Sequence, residues 1–310
     1  MGGYLEMRKK VLASLLVLSM IGSLTGCSKL KNVTSDDFID ACENTGADEM
    51  DDVDELRDLE TEDFADGVYL VLDGDDIEEL PYEVLMMLKM YDFDLGIDTD
   101  DMEEVALYMY LDQNIDDIDY DDDPEAILDL QCDIAFAAHI TLSDPDLCLD
   151  AVDGIEDLLR NIDVDVDDLT SEEYYTSRKG GVLRLHVALE DLITAVLDSD
   201  SYDVIEDMSD IDDMDEILEQ MTGDVSLSIY IENENIVIIA GLSVNETNDS
   251  LISLCDELGL DDPNEMESSQ TVIDALIEKV DDYSSAMAPM LTGYIEAAEE
   301  AAEAVAEEGF

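Results

Sequence analysis

Carboxylates are the one reactive group this sequence holds in quantity, with 85 Asp and Glu against 12 Lys and Arg in 310 residues. The runs Asp73–Asp76, Asp92–Asp101, Asp116–Asp123 and Asp163–Asp168 place oxygen ligands at the short intervals that hard cations require. The second run comes nearest to a twelve-residue calcium loop. Asp92, Asp94 and Asp98 fall at ligand positions, and Glu103 stands twelfth, where a carboxylate closes such a loop. Ile97 occupies the sharp turn that needs glycine, however, and Gly96 offers no side-chain ligand. In so acidic a chain such spacings arise by chance. The expectation is therefore no resident cofactor and weak, diffuse Ca²⁺ association. Paired carboxylates can also cleave glycosidic bonds, but 6% aromatic content and no Trp leave little surface on which a sugar could stack.

The other reactive side chains are few. His139 and His186 are the only histidines, and each interrupts an apolar run as a core histidine does. Arg178, Lys179 and Arg184 form the only basic cluster of the body. They either neutralise surrounding acid or make an anion-binding patch beside Gly180-Gly181. Cys42, Cys132, Cys148 and Cys255 sit within apolar patterns and are either buried thiols or one or two bridges. Asn245-Glu246-Thr247 spells a glycosylation sequon but also leads into a helix cap. The chain spells no G-x-S-x-G, P-loop, G-x-G-x-x-G, H-E-x-x-H or C-x-x-C. The expectation is a protein that is not an enzyme.

The elements that would position these residues read as mostly helical. Thr34 to Gly46 and Thr247 to Gly259 are two short capped helices, and the 17 positions that start at Thr34 and at Thr247 share six identities, a weak sign of duplication or a chance likeness. Helical spacing is also fitted from Leu80 to Tyr91, after the Asp98–Asp101 cap through Leu111, and over Ile127 to Leu142. Further helices are expected after Pro145, from Thr170-Ser171, over Leu183 to Leu197, and over Val204 to Met221. Val68 to Leu72 reads as a strand, and Val225 to Leu242 as a β-hairpin turning at Asn233-Glu234-Asn235, its return strand covered on both faces. The fold class expected is α+β, a mostly helical body with a small antiparallel sheet. The acidic segment 114–123 is the best place for a subdomain break, and 266–310 a C-terminal helical segment with an Ala/Glu-rich tail.

At the chain start Arg8-Lys9-Lys10 precede an apolar run from Val11 to Ile21 and then Leu24-Thr25-Gly26-Cys27. A basic head, a short apolar stretch and small residues before a cysteine fit a secretion signal over 1–26. The apolar run is too short to span a hydrocarbon core of about 30 Å. The ending resembles the lipobox of bacterial lipoproteins. That resemblance implies cleavage before Cys27, diacylation of its sulfur with fatty acids such as palmitate, and acylation of the new amine. The opening helix of the body resembles those of uncharacterised lipoproteins from gut Firmicutes, a likeness that implies no particular activity.

After Cys27 the chain holds nine Lys or Arg against 84 Asp or Glu, a net charge of −75. Neutralising phosphates takes Lys and Arg, so nucleic acid is excluded as a partner class. Hydrophobic residues at 46% are enough for a folded core despite that charge. The expectation is a tether over 27–33, an acidic body over 34–265, and an extracytoplasmic location at the cell membrane held by lipid on Cys27. Its function is that of a non-enzymatic binding or interaction protein of the cell envelope, with a protein or small-molecule partner. The alternatives are a Ca²⁺-associated envelope protein and a carboxylate-dependent hydrolase.

Overall fold

Most of the long apolar runs of this chain are strands. The structure, a computed structural model, describes residues 30–59, 61–73, 77, 99–115, 124–197, 199 and 214–279. Its strands are β1 (Asp48–Met50), β2 (Val68–Asp73), β3 (Met102–Gln113), β4 (Cys132–Leu142), β5 (Tyr174–Ser177), β6 (Gly180–Ala188), β7 (Asp224–Glu232) and β8 (Asn235–Val244). They form one eight-stranded sheet in the order β1-β2-β3-β4-β8-β7-β6-β5, antiparallel throughout except for the β1–β2 pair. The described helices are α1 (Ser35–Thr45), α2 (Val53–Asp58), α3 (Cys148–Asn161), α4 (Leu189–Leu197), α5 (Met214–Leu218), α6 (Asp249–Leu258) and α7 over 270–279. A mostly helical body with a small sheet is thus incorrect.

The physical reason lies in β3 and β4. Both faces of the sheet are covered, so apolar residues run continuously instead of alternating, and a continuous run accepts a helical template as readily as a strand one. On β3, Val105 and Leu107 face one core while Ala106 and Tyr108 face the other. On β4, Ala138 and Ile140 join the first core and Ala135 and Ala137 the second. Those alanines suggest helix by propensity, yet here small side chains line the face on which α1 and α6 lie. The stretch from Leu183 divides: it is strand to Ala188 and helix α4 from Leu189. The segment after Thr170-Ser171 is a turn leading into β5, not a helix. The region expected helical over Leu80 to Tyr91 lies outside the described residues.

Helices cover both faces. Ala151, Ile155 and Leu159 of α3 and Val272, Ile273 and Leu276 of α7 pack with Leu185, Ile229 and Ile238 of the sheet. Phe38 and Cys42 of α1 and Leu251 and Leu254 of α6 pack with Val182, Tyr230 and Ile239 on the opposite face. The ends of α1 and α6 are set by their sequences. Thr34 and Asp37 form a reciprocal capping box and Gly46 closes α1 with φ 92°. Asn248 accepts from the Leu251 amide, and Gly259 closes α6 with φ 57°. β3 and β4 pair directly across the acidic segment 114–123, and α7 shares the core of the sheet.

The β7–β8 hairpin is present, with Asn233 at φ 57° in its turn. Gly180, at φ 151°, opens β6 against Ile231, whose carbonyl leaves no room for a Cβ.

Candidate functional site

The best-defined candidate site is where the chain enters the fold. Leu30 packs against the α1/α6 core. The Lys31 ammonium donates to the Leu258 carbonyl at the end of α6, where carbonyls lack intrahelical partners and the helix dipole favours a cation. Asn32 Oδ1 accepts from Asn235 Nδ2 at 3.1 Å and from Asn233 Nδ2 at 3.4 Å, which ties the entering strand to the β7–β8 turn. Val33 is 2% exposed. It stands just before the Thr34 cap and packs in one cluster with Phe38, four residues beyond that cap, as a hydrophobic staple.

His139 holds this entry from below. It lies on β4, fully buried, with its ring centroid 5.9 Å from that of Phe38. Its Nε2 is 3.1 Å from the Val33 carbonyl. A carbonyl can only accept, so Nε2 carries the proton and donates. Burial pushes the imidazole pKa below its ordinary value, against the opposing pull of the Val33 hydrogen bond. A neutral ring is therefore a fixed part of the clamp.

The remaining reactive side chains are mostly in structural roles. Arg184 is 1% exposed on β6 and meets Asp261 at 3.2 Å. His186, two residues on, meets Asp224 at 2.7 Å. Asp133 on β4 accepts from Ser250 Oγ at 3.0 Å and from the Ser250 amide at 3.4 Å, which fixes the start of α6 to the sheet. Burial pushes its pKa up to about 6, although both Ser250 bonds pull the other way. The four body cysteines are free and buried, and desolvation pushes the Cys42, Cys132 and Cys255 thiols up to about 12. Thiols so placed are poor nucleophiles.

Of the three clustered cations, only two stay together. Arg178 and Lys179 are exposed at the β5–β6 turn, while Arg184 is inside the protein. Asp92, Asp94 and Asp98 lie outside the described residues, and Glu103 is exposed near the start of β3. Among the described residues no three His, Cys, Asp or Glu side chains converge as metal ligands, and no helix is long and apolar enough to cross a membrane.

Sequence reasoning missed the docking of residues 30–33, which it treated as tether. The staple pair Val33 and Phe38 was a legible signal. The asparagine contacts were not, because they join residues about 200 positions apart. Comparison with models of known protein families, with curated proteins and with solved structures finds no match.

Proposed function

We propose that this chain is an extracytoplasmic lipoprotein, held at the cell membrane by lipid on Cys27, whose body acts by binding rather than by catalysis. The observation that carries this reading is the docked entry. Leu30 already packs on the body, so Ser28 and Lys29 alone separate it from Cys27. Three residue steps reach about 11 Å at full extension. Lipid on Cys27 would thus hold the body directly at the membrane surface, with the pull resisted by Lys31, Asn32 and Val33. Two acyl chains suffice for stable anchoring where one is marginal.

Binding is favoured over catalysis by the placement of the reactive groups. His139, His186 and Arg184 are buried in contacts that hold elements together, and Cys42, Cys132, Cys148 and Cys255 are buried free thiols. The net charge of −75 after Cys27 disfavours nucleic acid as partner and leaves a protein or small-molecule partner met at the envelope. The test compares wild type with Cys27→Ala in the native host, grown with a clickable palmitate analogue. The wild type should carry the label and sediment with membranes, and the variant should carry none. Label on the variant, or wild type recovered entirely in the unlabelled fraction, would refute anchoring at Cys27.

A further inference from the structure

The docked entry also decides which end of the body faces the membrane. Asn32 is held by Asn233 and Asn235, and the Asn233 amide donates at 3.0 Å to the carbonyl of Lys179. The β5–β6 turn, with Arg178 and Lys179 at its tip, is therefore adjacent to the hairpin turn that grips the entering chain. Both side chains are exposed, and neither forms an ion pair with a described residue. In a body so rich in acid, two exposed cations without carboxylate partners among the described residues are unexpected as local neutralisers.

Two apolar side chains flank the same turn. Leu149 and Tyr175 are the exposed large hydrophobics among the described residues, at 45% and 46%. Tyr175 is on β5, two residues before the turn's Ser177. It lies in the cross-strand row Tyr175, Val182, Tyr230, Val237, His139, the last of which clamps Val33. Leu149 follows Cys148, whose sulfur lies 3.7 Å from the Lys179 carbonyl. An aromatic ring on one face of the sheet, an aliphatic side chain on the helix covering the other face and two cations at the turn between them are the side-chain types that settle at a bilayer interface.

We propose that the β5–β6 turn, with Arg178 and Lys179 at its tip and Tyr175 and Leu149 beside it, contacts anionic phospholipid headgroups and fixes the orientation of the body on the membrane. This rests on the reading that Cys27 carries the anchor. Tethering makes even a weak contact effective, because a short linker holds the turn near the surface at an effective concentration of order mM. Glu232 and Glu234 on the neighbouring hairpin and Asp144, Asp146 and Asp150 around the start of α3 oppose the attraction. The turn therefore supplements the lipid and cannot replace it, and its contribution weakens with salt.

The chain has no Trp, so Tyr175→Trp in the full mature lipidated protein gives a single reporter at the proposed contact. The protein is reconstituted into vesicles of phosphatidylcholine, with or without phosphatidylglycerol, that carry brominated acyl chains. Flotation first shows whether the chain is anchored. The expected result is quenching with phosphatidylglycerol that falls at least about fivefold for each of Arg178→Glu and Lys179→Glu, since loss of one basic side chain near an anionic surface is worth about that much and the added carboxylate repels further. Unchanged amide exchange across β7 and β8 in each variant shows that the fold is retained. An anchored protein with no quenching, or with quenching indifferent to charge reversal, overturns the orientation and leaves the anchoring intact. A chain that does not float overturns the anchoring, and this inference with it. Quenching relieved by inorganic phosphate at matched ionic strength would reassign the turn to free anions and also overturn it.

Discussion

Asp133 makes this fold sensitive to pH in a defined window. Its carboxylate lies on β4 beneath the start of α6, 4% exposed. Burial, helped by the charges of Glu246 and Asp249, raises its pKa from 3.8 to about 6, and the Ser250 bonds only partly offset this. A raised folded pKa means that the native state holds its proton longer than the unfolded chain does. The stabilising contribution is thus complete below the unfolded value near 3.8 and is lost as pH rises through about 6. A difference of about 2 pH units at ~1.4 kcal/mol each corresponds to about 3 kcal/mol. Asp133→Asn is the perturbation, since Asn is close in shape to the neutral acid, can accept from the Ser250 amide and can donate to the Ser250 hydroxyl. Near pH 4 variant and wild type should have similar stability, and by pH 8 the variant should be more stable by about 3 kcal/mol. In a chain of this size that is roughly 6 °C in Tm. Paired melts at half-unit pH steps measure the difference, and the many surface carboxylates cancel because both proteins carry them. A difference independent of pH, or one that shrinks from pH 4 to 8, would refute the assignment of the cost to this buried charge.

Three further outcomes follow from the packing. Gly180→Ala should cost at least about 3 kcal/mol in urea unfolding, because its Cβ would run into the Ile231 carbonyl. Val33→Ala should lower stability by about 2 kcal/mol through loss of the buried staple, whereas a mere linker residue there would leave the urea midpoint unchanged. Cys42, Cys132 and Cys255, with thiols pushed up to about 12, should resist a disulfide reagent at pH 8 in the native protein. All four body thiols should react once it is unfolded; fewer than four would reveal a bridge.

What could be read from the sequence was local. The capped helices α1 and α6 were legible because Thr34, Asp37, Gly46 and Gly259 act within one or two turns of themselves. The β7–β8 hairpin was legible because Ser226, Ser228 and Tyr230 alternate with Val225, Leu227, Ile229 and Ile231, a period that only a strand satisfies. β3 and β4 were not, because neighbours on both faces removed the polar half of the pattern, and the alanines of β4 serve close helix packing instead of helix formation. Arg184 looked like a partner of Arg178 and Lys179 because it is near them in sequence. The strand carries it inward to Asp261, 77 residues away, and leaves the other two at the turn. The role of Lys31 and Asn32 depended on where α6 and the hairpin end, which no local pattern in residues 27–33 encodes.

The central claim, that the mature chain begins at a lipidated Cys27, is tested most directly by mass spectrometry of the N-terminal peptide of the protein purified from its own membrane. The account predicts a peptide beginning at Cys27, heavier than its sequence by a diacylglyceryl group, with or without a further acyl chain on the amine. A peptide beginning elsewhere, or an unmodified Cys27, would contradict it.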